Sequence, residues 1–399
     1  VLAGPDAQIA PVAGRCGALT AGFRFIGPVH VEALRRLPVA VAGILGSSPE
    51  KSQAAAGRLG LPAPWCSYEE LMADPSVHAV HIATPNRTHH AMCAAALRAG
   101  KHVMCDKPLA MNARECDDLV ALWRARPALA AGVCYNIRYY PLCLQARDLV
   151  RSGGIGEVRA IRGAYQQDWL LKPTDYNWRV LADEGGELRA VADVGTHWLD
   201  LILSITGLRV ESVMADLRTV NTIRRRPRGE VQTFTRDAGE VPTEPVPITT
   251  DDCGSVLLRL AGGAQGNLWV SQVSPGRKNQ LTFEIIGSEK TLQWNSERPD
   301  ELWVGSRDEA NQLWLRNPAT MTTRSASLSD YPAGHAEGYP DAFKMLFRDF
   351  YRHIASGAAG SKTAPPYPTF EDGRREIVLC EAIQRSWNEQ RWVDVSENS

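Results

Sequence analysis

Between residues 17 and 135, short apolar runs alternate with segments whose apolar residues recur every three or four positions. GALTAG (17–22) reads as a buried strand running into glycine, and PVHVEALRRL as the helix after it. Pro28 suits a first helical turn, while Val29, Ala33, Leu34 and Leu37 fall on one helical face. VAVAGIL (39–45) is a second strand, followed by the helix PEKSQAAAGRLG. VHAVHIATP (77–85) is a third strand. The helix THHAMCAAALRAG comes next, with Thr88 as its N-cap and Gly100 as its stop. KHVMCDKP, NARECDDLVALWRA and LAAGVCYN (129–136) continue the series as strand, helix and strand. Such alternation predicts a doubly wound parallel sheet.

Past residue 140 the texture changes. A helix is predicted at 141–152, then the alternating strand GEVRAIRGAYQQ, then a helix over 193–206. VESVMADLRTV, GSVLLRLAGG, AQGNLWVSQV, NQLTFEIIGS and KTLQWNS follow as short strands with no helices between them, which predicts a mainly antiparallel open sheet. The stretch RRRPRGEVQ (224–232) reads as a solvated loop. YPDAFKMLFRDFYRHIASG and TFEDGRREIVLCEAIQRSWNEQRW close the chain as two amphipathic helices. The expected architecture is an α/β Rossmann-like domain over 1–135 and an α+β domain over 136–399. The last helix, near 370–388, is expected to pack back on the first domain.

Composition narrows the function. A chain of 399 residues with 44% apolar and 22% charged content is globular and long enough for two domains. A net charge of −1 offers no electrostatic case for nucleic acid or an anionic membrane. No apolar run approaches the roughly 20 residues of a membrane span. The opening VLAGPDAQIAPVAGR lacks the pattern of a signal peptide. Nine scattered cysteines without a C-x-x-C pair point to reduced thiols in a cytoplasmic setting. Cys93, Cys105, Cys134 and Cys380 sit in apolar stretches and read as core residues.

Two stretches carry candidate chemistry. In DVGTHWLD (193–200), a helix would project Asp193, His197 and Asp200 from one side. A metal site, an acid/base pair and a surface patch all fit that spacing, although no second well-spaced histidine completes a metal shell. In CDKPLA (105–110), the proline forces Lys107 to sit extended at the end of its strand. Strand carboxyl ends form the ligand crevice of a parallel sheet, so Lys107 can bear on a substrate there. The first turn, TAGFRFIG, offers Gly22 and Gly27 in place of a full G-x-G-x-x-G. Gly22 lets a pyrophosphate approach the next helix N-terminus.

Taken together, VHIATPNRTHHAMCAAALRAGKHVMCDKPLA and D-x-G-x-H-x-x-D resemble the two signatures of the Gfo/Idh/MocA family, the glucose–fructose oxidoreductase and inositol dehydrogenase group. Asp106 replaces the usual glutamate of Glu-Lys-Pro. YNIRYYP (135–141) and DYNWRV (175–180) resemble segments of sugar-acting branches. The resemblance implies a nicotinamide-dependent dehydrogenase acting on a sugar, polyol or glycoside hydroxyl, with Lys107, Asp193 and His197 at the reacting carbinol and no metal. It implies cofactor contacts from Gly22, Phe23, Ile26, Thr84, Pro85, Asn86, His89, Asp106 and Lys107. Histidine titrates near neutrality and suits the proton transfer, with Asp193 orienting it and Lys107 stabilising charge on the substrate oxygen.

Asp200 reads as structural, a cap or a salt bridge. His89 and His90 read as local structure more than as metal ligands. Asn177, Trp178 and Arg179 form a candidate sugar cluster or an interdomain loop, with Arg138, Trp169 and His335 as weaker candidates. The strand at 39–45 ends in Gly46, Ser47 and Ser48, where NAD enzymes commonly place an acid. With Lys51 nearby, this loop is expected to accept NADP as well as NAD, and to favour NADP. A homo-oligomer formed through the open sheet is expected. The rival readings are a tightly cofactor-bound enzyme that cleaves glycosides through transient oxidation, and a non-catalytic cofactor-binding regulator.

Overall fold

A computed structural model of the chain describes residues 15–20, 25–228, 242–357 and 364–395. They form two compact units. The first takes in the described residues up to Ala110, with Arg114–Cys134 and Pro340–Arg374. The second takes in Met111–Ala113, Tyr135–Tyr339 and the described residues from Arg375 onward. Among the described residues, no helix is long and apolar enough to cross a membrane.

In the first unit, β1 (Arg15–Thr20), β2 (Ala40–Leu45), β3 (Val77–Ala83), β4 (His102–Cys105) and β5 (Ala131–Val133) form a sheet in the order β2-β1-β3-β4-β5. Every neighbouring pair is parallel. The connections carry α1 (Ile26–Arg35), α2 (Pro49–Leu59), α3 (Tyr68–Ala73), α4 (His89–Arg98) and α5 (Ala113–Arg124). This is the doubly wound sheet that the alternation predicts. Six of the seven residues of β3 are buried, the near-continuous burial that a parallel strand covered on both faces requires. The strand order turns back between β1 and β3, and the crevice beyond their carboxyl ends is the ligand position of such a sheet. The turn after β1, with Gly22 and Phe23, lies outside the described residues.

One local expectation needs correction, and one helix was not expected. Thr88 stands at the start of α4 without capping it. Its hydroxyl donates to the Pro85 carbonyl at 2.8 Å and pairs with the Thr84 hydroxyl at 2.6 Å, so the turn after β3 competes successfully for it. The short helix α3 gives little periodic signal, yet Ser67 caps it by accepting from the Glu70 N–H at 3.2 Å.

The second unit begins with α6 (Pro141–Arg151), β6 (Val158–Gln166), α7 (Ala182–Gly185) and α8 (Thr196–Thr206). The strands β7 (Val210–Arg218), β8 (Ile223–Pro227), β9 (Thr243–Pro247), β10 (Cys253–Leu260), β11 (Gln265–Ser271), β12 (Gln280–Gly287), β13 (Lys290–Asn295), β14 (Glu301–Ser306) and β15 (Gln312–Leu315) follow. Then come α9 (Thr323–Ala326), α10 (Tyr339–Ala355), α11 (Phe370–Glu389) and β16 (Val393–Asp394). Nearly all of α10 belongs to the first unit, and most of α11 to the second.

Nine strands form one sheet in the order β15-β14-β13-β12-β6-β11-β10-β7-β16. Every pair is antiparallel except β6 with β11. Its inner face packs under α6 and α8. Gly163 makes that packing possible: a Cβ there would stand 2.4 Å from the Trp198 Nε1, which donates to the Thr282 carbonyl at 2.9 Å.

The stretch at 224–232 is not a solvated loop where it is described. Residues 223–227 are the strand β8, paired with β9, and residues 229–232 lie outside the described residues. Arg224 and Arg189, both fully buried, share the buried Asp252 carboxylate, with Arg224 Nη2 donating to Oδ1 at 2.6 Å. The charge run hides one arginine in the core because a carboxylate distant in sequence meets it. Asp252→Ala leaves two buried guanidiniums without their anion. It should lower stability by about 3–5 kcal/mol or prevent folding, measured by thermal unfolding. Wild-type stability in this variant would show that the cluster holds nothing together.

Candidate active site

The DVGTHWLD stretch departs from one regular helix. Val191–Gly195 form a wide π-helical turn, and α8 begins at Thr196. Asp193 and His197 therefore sit on opposite sides of a change in helical phase, a device frequent at functional sites. Asp193 is clamped from two directions. Gln272 Nε2 donates to its Oδ2 at 2.7 Å, and Arg179 Nε faces its Oδ1 at 3.4 Å. Gln272 is itself held, because the buried Arg189 donates to its Oε1 at 3.1 Å. The imidazole of His197 lies edge-on to Tyr135 at 5.7 Å between ring centres and 6.1 Å from Tyr165.

Asp200 is buried and accepts from Arg138 Nε at 2.7 Å, with a second bond from the same guanidinium and Arg375 nearby at 3.6 Å. It is a salt-bridge residue, and Arg138 is committed to it. The three polar groups of the stretch thus split into a clamped carboxylate, an imidazole among tyrosines, and a buried ion pair.

Asn177 is 3% exposed and caps the following turn by accepting from the Arg179 N–H at 3.1 Å. The Arg179 guanidinium lies 4.5 Å above the Trp178 ring while reaching Asp193. Trp169 is half-buried, and its Nε1 donates to Gln167 at 2.8 Å. His335 is exposed, and its carbonyl accepts from the buried Arg316.

In the first unit, the described residues of the predicted cofactor set stand just past the ends of β2, β3 and β4 or at the start of α1. The buried Asn86 follows β3 after Thr84 and Pro85. His89, also buried, faces the Thr84 carbonyl at 2.9 Å and the Pro108 carbonyl at 2.7 Å, tying the turn after β3 to the turn after β4. Lys107 is half-buried, precedes a cis bond to Pro108, and its N–H donates to Asp106 Oδ1 at 2.9 Å. After β2, Ser47 and Lys51 are exposed, whereas Ser48 caps α2 by accepting from the Lys51 N–H at 3.3 Å. Ile26 opens α1, whose first turn holds no acidic residue. The positive end of its dipole is therefore not neutralised from within, which suits a dinucleotide pyrophosphate.

Residues 17–132 match oxidoreductases with an NAD-binding Rossmann fold, and residues 143–293 match the Gfo/Idh/MocA C-terminal domain. Levoglucosan dehydrogenase of Pseudarthrobacter phenanthrenivorans is 30% identical over 95% of this chain and 97% of its own length. The chain belongs to the Gfo/Idh/MocA family. Myo-inositol 2-dehydrogenase of Thermotoga maritima is 26% identical over 94% of the chain and 97% of its own length. Among solved structures, levoglucosan dehydrogenase in complex with NADH and L-sorbose superposes with a TM-score of 0.85 at 30% identity, over 96% of this chain and 99% of that one. An inositol dehydrogenase homologue from Azotobacter vinelandii, complexed with NADH and myo-inositol, gives 0.82 at 25%, over 96% and 97%. This Gfo/Idh/MocA member is accordingly an oxidoreductase with an NAD-binding Rossmann domain.

Gln272 is the site residue that no motif marks. It follows β11 in an ordinary strand sequence, and only the pairing of β6, β10 and β11 carries it to Asp193. Gln272→Leu removes a donor from Asp193 and the acceptor of Arg189 Nη1, while Arg189 keeps Asp252 and Thr250. Turnover should fall roughly tenfold, with NADH affinity unchanged in a fluorescence titration. Full turnover in this variant would reduce the clamp to packing.

Proposed function

We propose that the enzyme oxidises a secondary hydroxyl on a sugar, polyol or glycoside, with Lys107, Asp193 and His197 as its reacting residues. The observation that carries this reading is the clamped Asp193 one wide turn before His197. A carboxylate held by two donors stays fixed and supports positive charge nearby. His197 takes the hydroxyl proton, and Lys107 stabilises charge on the substrate oxygen. The residues that would hold the cofactor are those after β2, β3 and β4, including Thr84, Asn86 and Asp106, with Ile26 at the start of α1. When bound, the nicotinamide supplies the hydride acceptor. Trp178 and Asn177 sit beside Arg179 and furnish an indole face and an amide for a sugar ring.

The test is a panel of levoglucosan, L-sorbose, myo-inositol and simple glycosides with NAD or NADP, followed by the absorbance of reduced nicotinamide. Reduction with at least one ring polyol is expected. Failure with every member, in enzyme that binds NADH, would overturn the substrate class.

For the cofactor, we infer that NADP is accepted beside NAD. No carboxylate stands at 46–48 to repel a 2′-phosphate, and Ser47 and Lys51 are exposed. Ser48 is engaged twice, accepting from the Lys51 N–H and bonded to the Glu50 carboxylate, so Ser47 and Lys51 carry the reading. Ser47→Asp should move the ratio of kcat/KM values toward NAD by roughly tenfold. An unchanged ratio would show that this loop does not read the ribose.

The outer face of the large sheet exposes Leu257, Trp269, Leu313 and Leu315, which supports a homo-oligomer built on it. Light scattering on eluted enzyme tests this, and a monomer would refute it. The eight described cysteines that appear as free thiols fit a reducing, cytoplasmic setting.

A further inference from the structure

The first unit buries a line of polar side chains that the proposed reaction does not use. His81 stands in the middle of β3, where its neighbours Val80 and Ile82 are fully buried. An imidazole there is costly unless both nitrogens are satisfied. Its Nε2 lies 3.1 Å from the Tyr351 hydroxyl of α10, and its Nδ1 lies 3.1 Å from Nδ1 of His30 in α1. His30 Nε2 in turn lies 3.7 Å from the Cys134 sulfur. Donor atoms of His30, Cys134 and Asp106 all fall within 4.8 Å of one another. Phe343, Phe347 and Phe350 of α10 pack their rings against the two histidines.

The direction of the line follows from chemistry. A carboxylate only accepts, so Asp106 needs donors. Burial pushes the Cys134 thiol up well above its ordinary range, and the Asp106 charge adds to this, so the sulfur keeps its proton. Burial lowers His30 to about 4 and His81 well below its usual value, so both rings are neutral. A neutral imidazole donates once and accepts once. With the Cys134 thiol turned toward the Asp106 carboxylate, which lies within 4.8 Å of it, His30 donates from Nε2 to the sulfur and accepts at Nδ1. His81 then donates from Nδ1 and accepts from Tyr351 at Nε2. Both rings are satisfied in this orientation and equally in the reverse one, with the Cys134 thiol donating to His30 Nε2, but only the first turns the line toward the Asp106 charge.

We propose that Tyr351, His81, His30 and Cys134 form a one-directional hydrogen-bond line that ends beside the Asp106 carboxylate, making His81 and Tyr351 positioning residues for Lys107. The link is short, since the Lys107 N–H donates to Asp106 Oδ1 at 2.9 Å. The functional half of this inference rests on the reading of Lys107 as a reacting residue.

Nitrogen-15 NMR of the wild-type enzyme tests the chain without turnover. His81 should carry its proton on Nδ1 and His30 on Nε2, with neither ring titrating across the neutral range. A proton on His30 Nδ1, or a ring that titrates there, overturns the chain. One divalent ion retained per chain and lost in Cys134→Ala would also overturn it, because His30 Nε2 would then be a ligand rather than a donor. For the effect on Lys107, kcat is compared among Tyr351→Phe, His81→Val and His81→Asn. The first two should lose roughly tenfold in kcat with KM for the substrate held. The asparagine, which keeps a donor near the Nδ1 position, should recover most of that loss. Equal kcat in all three with only melting temperatures lowered would make the line structural. If Lys107→Met is fully active, the Lys107 reading fails by itself, and the NMR result still decides the chain.

Discussion

His197→Ala is expected to lower kcat by roughly a hundredfold or more, the usual scale for a general acid or base, while NADH binding stays at the wild-type level. Alanine is the best helix former, and His197 lies in the first turn of α8, so the helix survives the change. The space vacated lies beside Tyr135 and Tyr165 and removes no buried ion pair, because Asp200 keeps Arg138. NADH binding reports on the first unit and is read by fluorescence titration. Steady-state kinetics with the best panel substrate reports on the proton transfer. A variant within a few-fold of wild type would remove His197 from the reaction, whatever becomes of the substrate assignment.

Lys107→Met should be equally severe. The substitution keeps the length and apolar stem of the side chain and deletes its charge, so an electrostatic role is tested apart from packing. Turnover is expected to fall roughly a hundredfold or more, with the melting temperature near that of wild type. The backbone N–H that donates to Asp106 is retained in the variant, as is the His89 bridge to the Pro108 carbonyl. Unaltered kinetics would leave Lys107 as a turn residue. Loss of NADH binding together with turnover would place it in cofactor recognition.

Much of the molecule is legible along the chain because its signals are local. The apolar runs of β3, β4 and β5 and the periodic helices between them specify a parallel sheet, since each element must bury a face of fixed period. Lys107 before its proline, and Asp193 and His197 four residues apart, stand out by residue type and spacing, and the family resemblance supplies their expected roles. The change of helical phase at Val191–Gly195 is not marked, because a wide turn answers to packing more than to propensity.

What remains was decided by partners far away in sequence. Arg224 reads as part of a solvated charge run until Asp252 and Arg189 meet it in the core. Ser48 reads as a phosphate donor until α2 takes its oxygen as a cap. Gln272 has no motif, and His81 breaks the apolar pattern of its strand without showing why. The sequence by itself determined the strands and helices of the parallel sheet, the middle strands of the large sheet and which residue types stand at the strand ends, whereas α3, β8, β9, β14 and β15 carry too little periodic signal to be read. Only the tertiary structure decided which buried donor meets which buried acceptor. A polar side chain is stable in the core when a partner is within hydrogen-bond reach, and that partner is supplied by sheet register and helix docking rather than by spacing along the chain.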